Sequence, residues 1–534
     1  MVKLQVREQI WLVVSAFLLL CLAAPTSLLG QVDTGGVTGT VTDSTGAVVP
    51  GAQITLTNTA THIVETSKST STGSYSFNGV RPGTYTLKGE APGFKVFETT
   101  GLDVHIQDTV TLDISLSAGS VSQHVEVTAA APLLQAQSGE VGQTISGEAV
   151  NDLPLQTRDW ASLSQLSAGV TTAPSGQPSG DSGSSTSAYF VANGANIWQN
   201  DFRLNGINDN IEMYGGSSVL SNATITPPPD ALAEFKLQTA NYSAEFGHST
   251  GAVVNATTKS GTNGFHGDIW EYVRNDAFNA NPFFNKVNHV ARPEYRQNIF
   301  GGTVGGPIIR DKTFFFFSYQ GQRFVLPSPV TSTVPTANMV NSGFTNLQDL
   351  ITGNSGTGTD IENRIFPHGT VLDPATTRAV TANVIDPVTG LTPSATGYVR
   401  DPFYTGNIAG MTNFVGQTAN LNIIPAGRLD PNAVKLLGVY PAQTVPNLLN
   451  NNYFYDPKQY RNIDTYDIRI DEHINASNYL SGTFDRTTFA WSVPANLPGL
   501  AVGETGGRND SFPAYAFAVS YTHILRPLSP TRCT

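Results

Sequence analysis

The 534-residue sequence predicts a mainly β protein: an N-terminal β-sandwich, a small α+β unit, and then the first strands of an antiparallel transmembrane β-barrel. Three observations predict it. Short stretches that alternate apolar with polar residues, split by Gly and Pro, fill residues 35–117. Beyond residue 261 such stretches lengthen to about ten residues, the length that a tilted membrane strand needs. Finally, after an apolar leader, no apolar run approaches the ~18 residues of a helical membrane span.

Composition narrows the class. Charged residues are 13% of the chain, about half of the ~25% usual for a soluble domain, and there are 51 Gly and 32 Pro, which disfavours a typical cytosolic α/β enzyme. With 40% apolar and 9% aromatic residues the chain can bury sizeable cores, so wholesale disorder is excluded. The net charge of −12 opposes a nucleic-acid surface, and no nucleic-acid partner is expected. Residues 1–30 read as a secretory signal peptide. Lys3 and Arg7 precede an apolar stretch over 10–24, and the small residues Ala23, Ala24, Ser27 and Gly30 place cleavage between Ala24 and Gln31. Cys21 follows Leu20 rather than a small residue, which opposes a lipid anchor. The mature chain then keeps Cys533 alone and can form neither an intramolecular disulfide nor a thiolate metal cage. An exported chain with no membrane helix is either released or enters an outer membrane as a β-barrel.

The first folded unit, residues 31–118, has strands over 37–42, 52–57, 74–77, 84–87 and 110–116. The turns between them carry Ser44-Thr45-Gly46, Val49-Pro50-Gly51, Arg81-Pro82-Gly83 and Ala91-Pro92-Gly93, which supply fixed or positive φ where the chain reverses. This spacing is that of a small β-sandwich. The wording GGVTGTVTDSTGAVVPGAQITLTN, followed by TGSYSFNGVRPGTYTLKGEAPGFK, resembles the carboxypeptidase regulatory-like domain. That resemblance implies an accessory module and no peptidase, since no zinc-ligand pattern accompanies it.

Residues 119–262 change character. The segment 146–167 permits one or two short helices, 173–187 is a Gly/Ser-rich loop, Pro227-Pro228-Pro229 is stiff and extended, and brief strands fit 201–204, 234–239 and 251–258. From residue 263 six longer strands are expected, near 265–274, 297–306, 313–323, 462–472, 478–489 and 513–524. In the last, Tyr515, Phe517, Val519 and Tyr521 alternate with Ala514, Ala516, Ala518 and Ser520. In the fourth, Tyr466, Ile468 and Ile470 alternate with Asp467, Arg469 and Asp471. A soluble sandwich would show the same alternation with its senses reversed, so periodicity alone cannot choose. The connections can: they run long, short, very long (324–461), short, long, as the external loops and periplasmic turns of an outer-membrane barrel do.

The block ITPPPDALAEFKLQTANYSAEFGHSTGAVVNATTKSGTNGFHGDIWEYVRNDAFNANPFFN at 225–285 resembles the Oar-like group of TonB-dependent outer-membrane receptors, as does RQNIFGGTVGGPIIRDKTFFFFSYQGQR at 296–323. The resemblance covers nearly all of the mature chain, in the order accessory sandwich (31–118), linker (119–130), plug (131–262) and partial barrel (263–534). It implies a receptor in the cell outer membrane that binds an external ligand and imports it by energy-coupled plug rearrangement. The partners implied are a TonB-type periplasmic energy-coupling protein, outer-membrane lipids and a ligand of unspecified class. Within this frame Gln123-His124-Val125-Glu126-Val127-Thr128-Ala129 looks like a TonB box, a segment read by strand addition. As residues alone, it reads equally as a last sandwich strand or a linker. Phe202-Arg203-Leu204-Asn205-Gly206-Ile207-Asn208-Asp209 reads as a strand and a tight hairpin turn. Lys259-Ser260-Gly261-Thr262-Asn263-Gly264 reads as the hinge from plug to barrel, without the glycine spacing of a phosphate-binding loop.

Asp467, Arg469 and Asp471 are lumen-facing candidates, and Asp464, Asp485 and Arg486 share the reading. The alternative for all six is a solvated strand face. Gly180-Asp181-Ser182-Gly183 has no catalytic frame around it, and the nine histidines show no metal-binding spacing, so no catalytic, cofactor or metal residue is expected. The rival functions are a non-transporting surface adhesin and a secreted hydrolase with an accessory sandwich. Plugged transporters close with about 22 strands, against the six read here, and the chain stops at Arg532-Cys533-Thr534 rather than at an aromatic insertion signal, so the barrel is expected to be partial.

The turns and alternation of residues 31–118 are locally complete. Expressed alone, this segment should be a soluble, monomeric β-protein. Circular dichroism and thermal melting check this, and a helical spectrum or the lack of a cooperative transition would overturn the assignment.

Overall fold

The computed structural model describes residues 34–523, apart from 120–123, 129–138, 154, 156–157, 159, 173–189, 197–198, 211–224, 243–245, 248–249, 288–290, 476 and 500–506. The expected signal peptide, the Gly/Ser loop at 173–187, Gly180 to Gly183, Gln123, Ala129 and Cys533 lie outside the described residues.

Nine strands build the first unit: β1 (Gly35–Asp43), β2 (Gln53–Asn58), β3 (Val64–Lys68), β4 (Ser74–Val80), β5 (Gly83–Glu90), β6 (Val96–Val104), β7 (Thr109–Thr111), β8 (Ile114–Leu116) and β9 (His124–Thr128). They form two sheets, one of order β4-β1-β7 with β8 also on β1, the other of order β3-β2-β5-β6-β9. Every second residue points inward, so Val37, Val41, Ile54, Leu56, Phe77, Leu87 and Ile114 make one core. The single strand expected over 110–116 is two short ones, both parallel to β1. Between them Leu112 N–H reaches Thr38 O at 2.8 Å, and Asp113 takes the Thr40 N–H at 2.8 Å. A Cβ on Gly39 would stand 1.9 Å from the Leu112 carbonyl oxygen, so the crossing needs glycine at that position.

The second unit contains β10 (Val141–Ser146), β11 (Val170–Thr172), β12 (Phe190–Ala192), β13 (Asp201–Leu204), β14 (Ile207–Asn208), β15 (Leu232–Ala240) and β16 (Val253–Thr258). Its sheet has the order β10-β15-β16-β13-β14, with β11 and β12 as a separate hairpin. The Ser146 side chain accepts from Ala149 N–H and caps a helix over Gly147–Asp152. Trp160 packs on Phe235 with ring centroids 5.0 Å apart, inside a core shared with Val150, Phe190, Phe202 and Leu237. Asn205 and Gly206 both take positive φ, +51° and +81°, as the tight turn requires. The Asn205 side chain accepts from Thr258 N–H at 2.9 Å and ties the turn to the end of β16.

The third unit is a six-stranded antiparallel sheet, β17-β18-β19-β26-β27-β28 in space. In chain order these are β17 (Ile269–Asn275), β18 (Arg296–Ile309), β19 (Thr313–Pro327), then the short β20 (Val330–Ser332), β21 (Thr357–Thr359), β22 (Ile365–Pro367), β23 (Arg378–Val380), β24 (Gly397–Val399) and β25 (Tyr453–Tyr455), and finally β26 (Lys458–Asn475), β27 (Asn478–Val493) and β28 (Arg508–His523). Each of the six pairs with the next of the six in chain order, and among the described residues the sheet is open at β17 and β28. Their connections follow the expected short and long order.

The connection between β19 and β26 differs from a plain loop. It is a folded insertion that β20 and β25 close at its base, with β21 paired to β22 and β23 to β24 inside it, and it has a small core of Ile351, Phe366, Phe414 and Leu421. Arg364 is fully buried beside it, paired with Asp360 at 2.8 Å, Glu362 at 3.1 Å and Asp401 at 2.6 Å, while Arg378 meets Asp386 at 2.6 Å and Asp401 at 2.7 Å. Burial pushes the Glu362 carboxyl above its usual range. Burial also pushes Asp386 up, but the hydrogen bonds from Arg378, the Val388 N–H, Glu362 and Thr389 together outweigh it and leave the carboxyl well below its usual range.

On β26, Asp467, Arg469 and Asp471 are 1%, 3% and 1% exposed, whereas Ile468 and Ile470 are 39% and 47% exposed. The sheet thus has a covered polar face and an open apolar one. Ile468→Arg puts a charge on the open face, at a cost of about 2–4 kcal/mol near the bilayer midplane, and should impair insertion into lipid vesicles more than Asp467→Leu does. Fractionation of the two variants between vesicles and buffer checks this, and the reverse order would overturn the facing.

Candidate functional site

The covered face of the sheet is where the three units meet. Because strand side chains alternate, the inward row of β26 is Arg461, Ile463, Thr465, Asp467, Arg469 and Asp471. Asp467 stands opposite Ser318 on one neighbour and Asp485 on the other, and Asp485 stands opposite Ala516. Ala514 and Ala516, the small face of β28, pack on the apolar core of the second unit. Arg469 donates through Nη1 to the Thr258 carbonyl at 3.0 Å, which ties the wall to the end of β16, and its Nε lies 3.1 Å from Asp471. Asp471 also accepts from the Ser260 and Tyr479 hydroxyls and pairs with Arg81 at 3.0 Å. The Arg81 guanidinium lies over the Tyr479 ring, 3.8 Å from its centroid.

Asp464 and Arg486 do not share this face. Both sit one residue out of phase with the inward row, which turns a strand side chain to the other side of the sheet. Asp464 binds Arg323 at 2.7 Å and the Tyr319 hydroxyl at 2.8 Å. Arg486 stands over the rings of Tyr466 and Tyr515.

A second set of contacts, which the sequence reading did not single out, fastens the sandwich to the α+β unit. Glu234 and Lys236 lie on one face of β15, and Phe235 and Leu237 fill the core on the other. The Glu234 carboxylate takes the Ile106 N–H and lies 2.7 Å from His105 Nδ1. That hydrogen bond holds the His105 imidazole above its ordinary range. Lys236 Nζ reaches Asp108 at 2.7 Å, the Gln107 carbonyl at 3.0 Å and Glu140 at 3.4 Å. The alternation of charge with Phe and Leu along 234–237 was the available signal: two opposite charges on one face of an inner strand require a polar cover.

At the hinge, Asn263 donates from its backbone to Ala60 O at 3.1 Å and from its side chain to Thr61 O and Asp311 at 2.7 Å. His62 lies 3.6 Å from Asp311. A cavity of about 300 Å³ remains at the junction, lined among others by Tyr85, Arg81, Thr257, Lys259 and Asp471. Among the described residues no group of three or more His, Cys, Asp or Glu is arranged to hold a metal ion.

The backbone of β9, His124–Thr128, pairs in parallel with β6 from Val96 to Thr100 and forms the end of its sheet. Its other edge carries no strand partner among the described residues. In this position the segment is the last strand of the sandwich sheet, one of the readings that its residues leave open.

Residues 257–529 match the family described as outer membrane beta barrel domain, and residues 36–117 match the carboxypeptidase regulatory-like domain. The TonB-dependent transporter Oar of Myxococcus xanthus is 26% identical over 305 residues, covering 53% of this chain and 26% of Oar. The chain thus matches about a quarter of the length of that relative. Among solved structures, the outer membrane transporter YddB of Escherichia coli is 10% identical, with 72% of this chain and 37% of that one covered and a TM-score of 0.41. The ferric enterobactin receptor of Pseudomonas aeruginosa is 11% identical, with 73% and 39% covered and a TM-score of 0.36. With half of its length inside the first of these matches, and with that half folded as long antiparallel strands with one apolar face, the chain belongs to the outer membrane beta barrel domain family and is an outer-membrane protein that carries a carboxypeptidase regulatory-like domain.

Proposed function

We propose that the protein is a TonB-dependent outer-membrane receptor, in which residues 131–262 act as the plug and an external ligand is imported when the plug is rearranged by a pull from the periplasm. The observation that carries this reading is the nature of the contact between plug and wall. The plug has its own apolar core. It meets the wall through polar side chains of β26, with Arg469 on Thr258 O and Ser260 on Asp471, and through the small residues Ala514 and Ala516, which pack on its core. Hydrogen bonds to charged groups contribute a net of about 1.5–3 kcal/mol each and can be exchanged one at a time for water, whereas an apolar core opens as a whole. Such an interface suits a part that must move inside a rigid one.

The mechanism contains no covalent chemistry and needs no cofactor. A TonB-type coupling protein reaches residues 123–129 and adds a strand to the open edge of β9, where backbone groups supply most of the affinity. Energy comes from the inner-membrane proton gradient through that protein. The folded insertion between β19 and β26 stands at the long-loop end of the sheet and offers the external ligand its first surface. The similarity to the TonB-dependent transporter Oar supports the coupling.

Successive N–H groups of a strand point to opposite edges, so Glu126→Pro and Val127→Pro between them remove a donor from each side of β9. At least one of the two should reduce energised uptake to the level of de-energised cells while surface ligand binding persists. Val127→Thr keeps the N–H and the β-branched shape and should retain most of the uptake. Parallel assays of uptake and binding on cells decide it. Uptake by both proline variants equal to that of the parent would remove the box assignment.

A further inference from the structure

Three turns at one end of the sandwich reach, between them, the plug and the wall. The β2–β3 turn, residues 59–63, lies between the hinge at Asn263 and the short wall turn at Asp311. The β4–β5 turn sends Arg81 onto Asp471 and Tyr479 of the wall. The turn after β6, residues 105–108, clamps Glu234 and Lys236 of the plug. All the wall residues involved, Asp311, Asp471 and Tyr479, are at the short-turn end of the long strands. The sandwich therefore spans the seam between plug and wall at that end, and a plug that left the wall would first have to break these contacts.

The same sandwich holds the segment proposed to receive the pull. β9 pairs with β6, and β6 ends at Val104, directly before His105 and Asp108. A load on β9 thus passes through one pair of strands into the turn that clamps the plug.

We propose that the carboxypeptidase regulatory-like sandwich is an autoinhibitory lock on the periplasmic seam, and that drawing β9 away from β6 releases it before the plug rearranges. This rests on the receptor reading, and its test has one arm that does not depend on transport. Thr257 is buried beneath the sandwich, lines the junction cavity and makes no side-chain hydrogen bond among the described residues, so Thr257→Cys is a mild probe. In the chain carrying Cys533→Ser, thiol labelling of that cysteine from the periplasmic side should rise about tenfold or more when Arg81→Ala and Asp108→Asn break one buried ion pair to the wall and one to the plug, because the loss of buried ion pairs shifts the docking equilibrium by at least that factor. Arg81→Lys, which keeps the charge, should restore part of the protection. Labelling unchanged by the double variant overturns the lock.

The second arm fixes the sandwich in place by oxidising the pair Ala60→Cys and Asn263→Cys. Oxidised protein should bind external ligand normally and import none, and reduction should restore uptake. Equal uptake in both states overturns the lock while leaving the receptor reading intact. Lack of energised uptake in the parent protein counts against the receptor reading, and the labelling arm then decides the lock alone.

Discussion

A single carboxylate organises the meeting of the three units. Asp471 is almost wholly withdrawn from solvent on the inner face of β26, where an uncompensated charge would cost several kcal/mol. Its compensation comes from each direction: Arg469 and Tyr479 from the wall, Ser260 from the end of the α+β unit, and Arg81 from the sandwich. No one unit supplies the whole set. The placement of sandwich, α+β unit and wall is thereby coupled to the solvation of one side chain, and a shift of any of them leaves charge exposed to a poorer environment.

Much of the architecture was legible in the residues. The six long strands follow from period-two alternation and from the rhythm of their connections. The facing of Asp467, Arg469 and Asp471 against Ile468 and Ile470 follows from the same period. The Asn205–Gly206 turn was legible because only a few residues tolerate two successive positive φ values. What was missed has a common cause. The docking of Arg81 on Asp471, or of His105 on Glu234, joins residues more than a hundred positions apart, and nothing local marks a charge as buried when its partner is distant. The insertion was read as a loop for the same reason, since Arg364 and Arg378 gather acids spread from Asp360 to Asp401 with no repeating interval. Asp464 and Arg486 were grouped with the inner row by composition, although strand parity sends them outward.

The division of labour between apolar and polar contact is consistent across the molecule. Sandwich, α+β unit and insertion each keep a separate apolar core, to which the wall adds only Ala514 and Ala516 on the α+β unit. The seams between sandwich, α+β unit and wall are made chiefly of ion pairs and hydrogen bonds to backbone carbonyls. Such seams specify orientation closely because their geometry is directional, yet they yield piecewise rather than all at once. The inside of a unit and the seam between units are thus built from different chemistry.

The insertion leaves from the end of β19 and returns at the start of β26, two strands paired residue by residue from Pro327 opposite Lys458. Its ends are therefore fixed a few ångströms apart by the sheet, whatever lies between them. The entropy of closing such a loop grows only by about 0.6 kcal/mol for each doubling of its length. Lineages can accordingly exchange, lengthen or shorten this outer piece at little expense to the strands below. Diversity among relatives is expected to concentrate between positions 328 and 457, on a wall whose register stays the same.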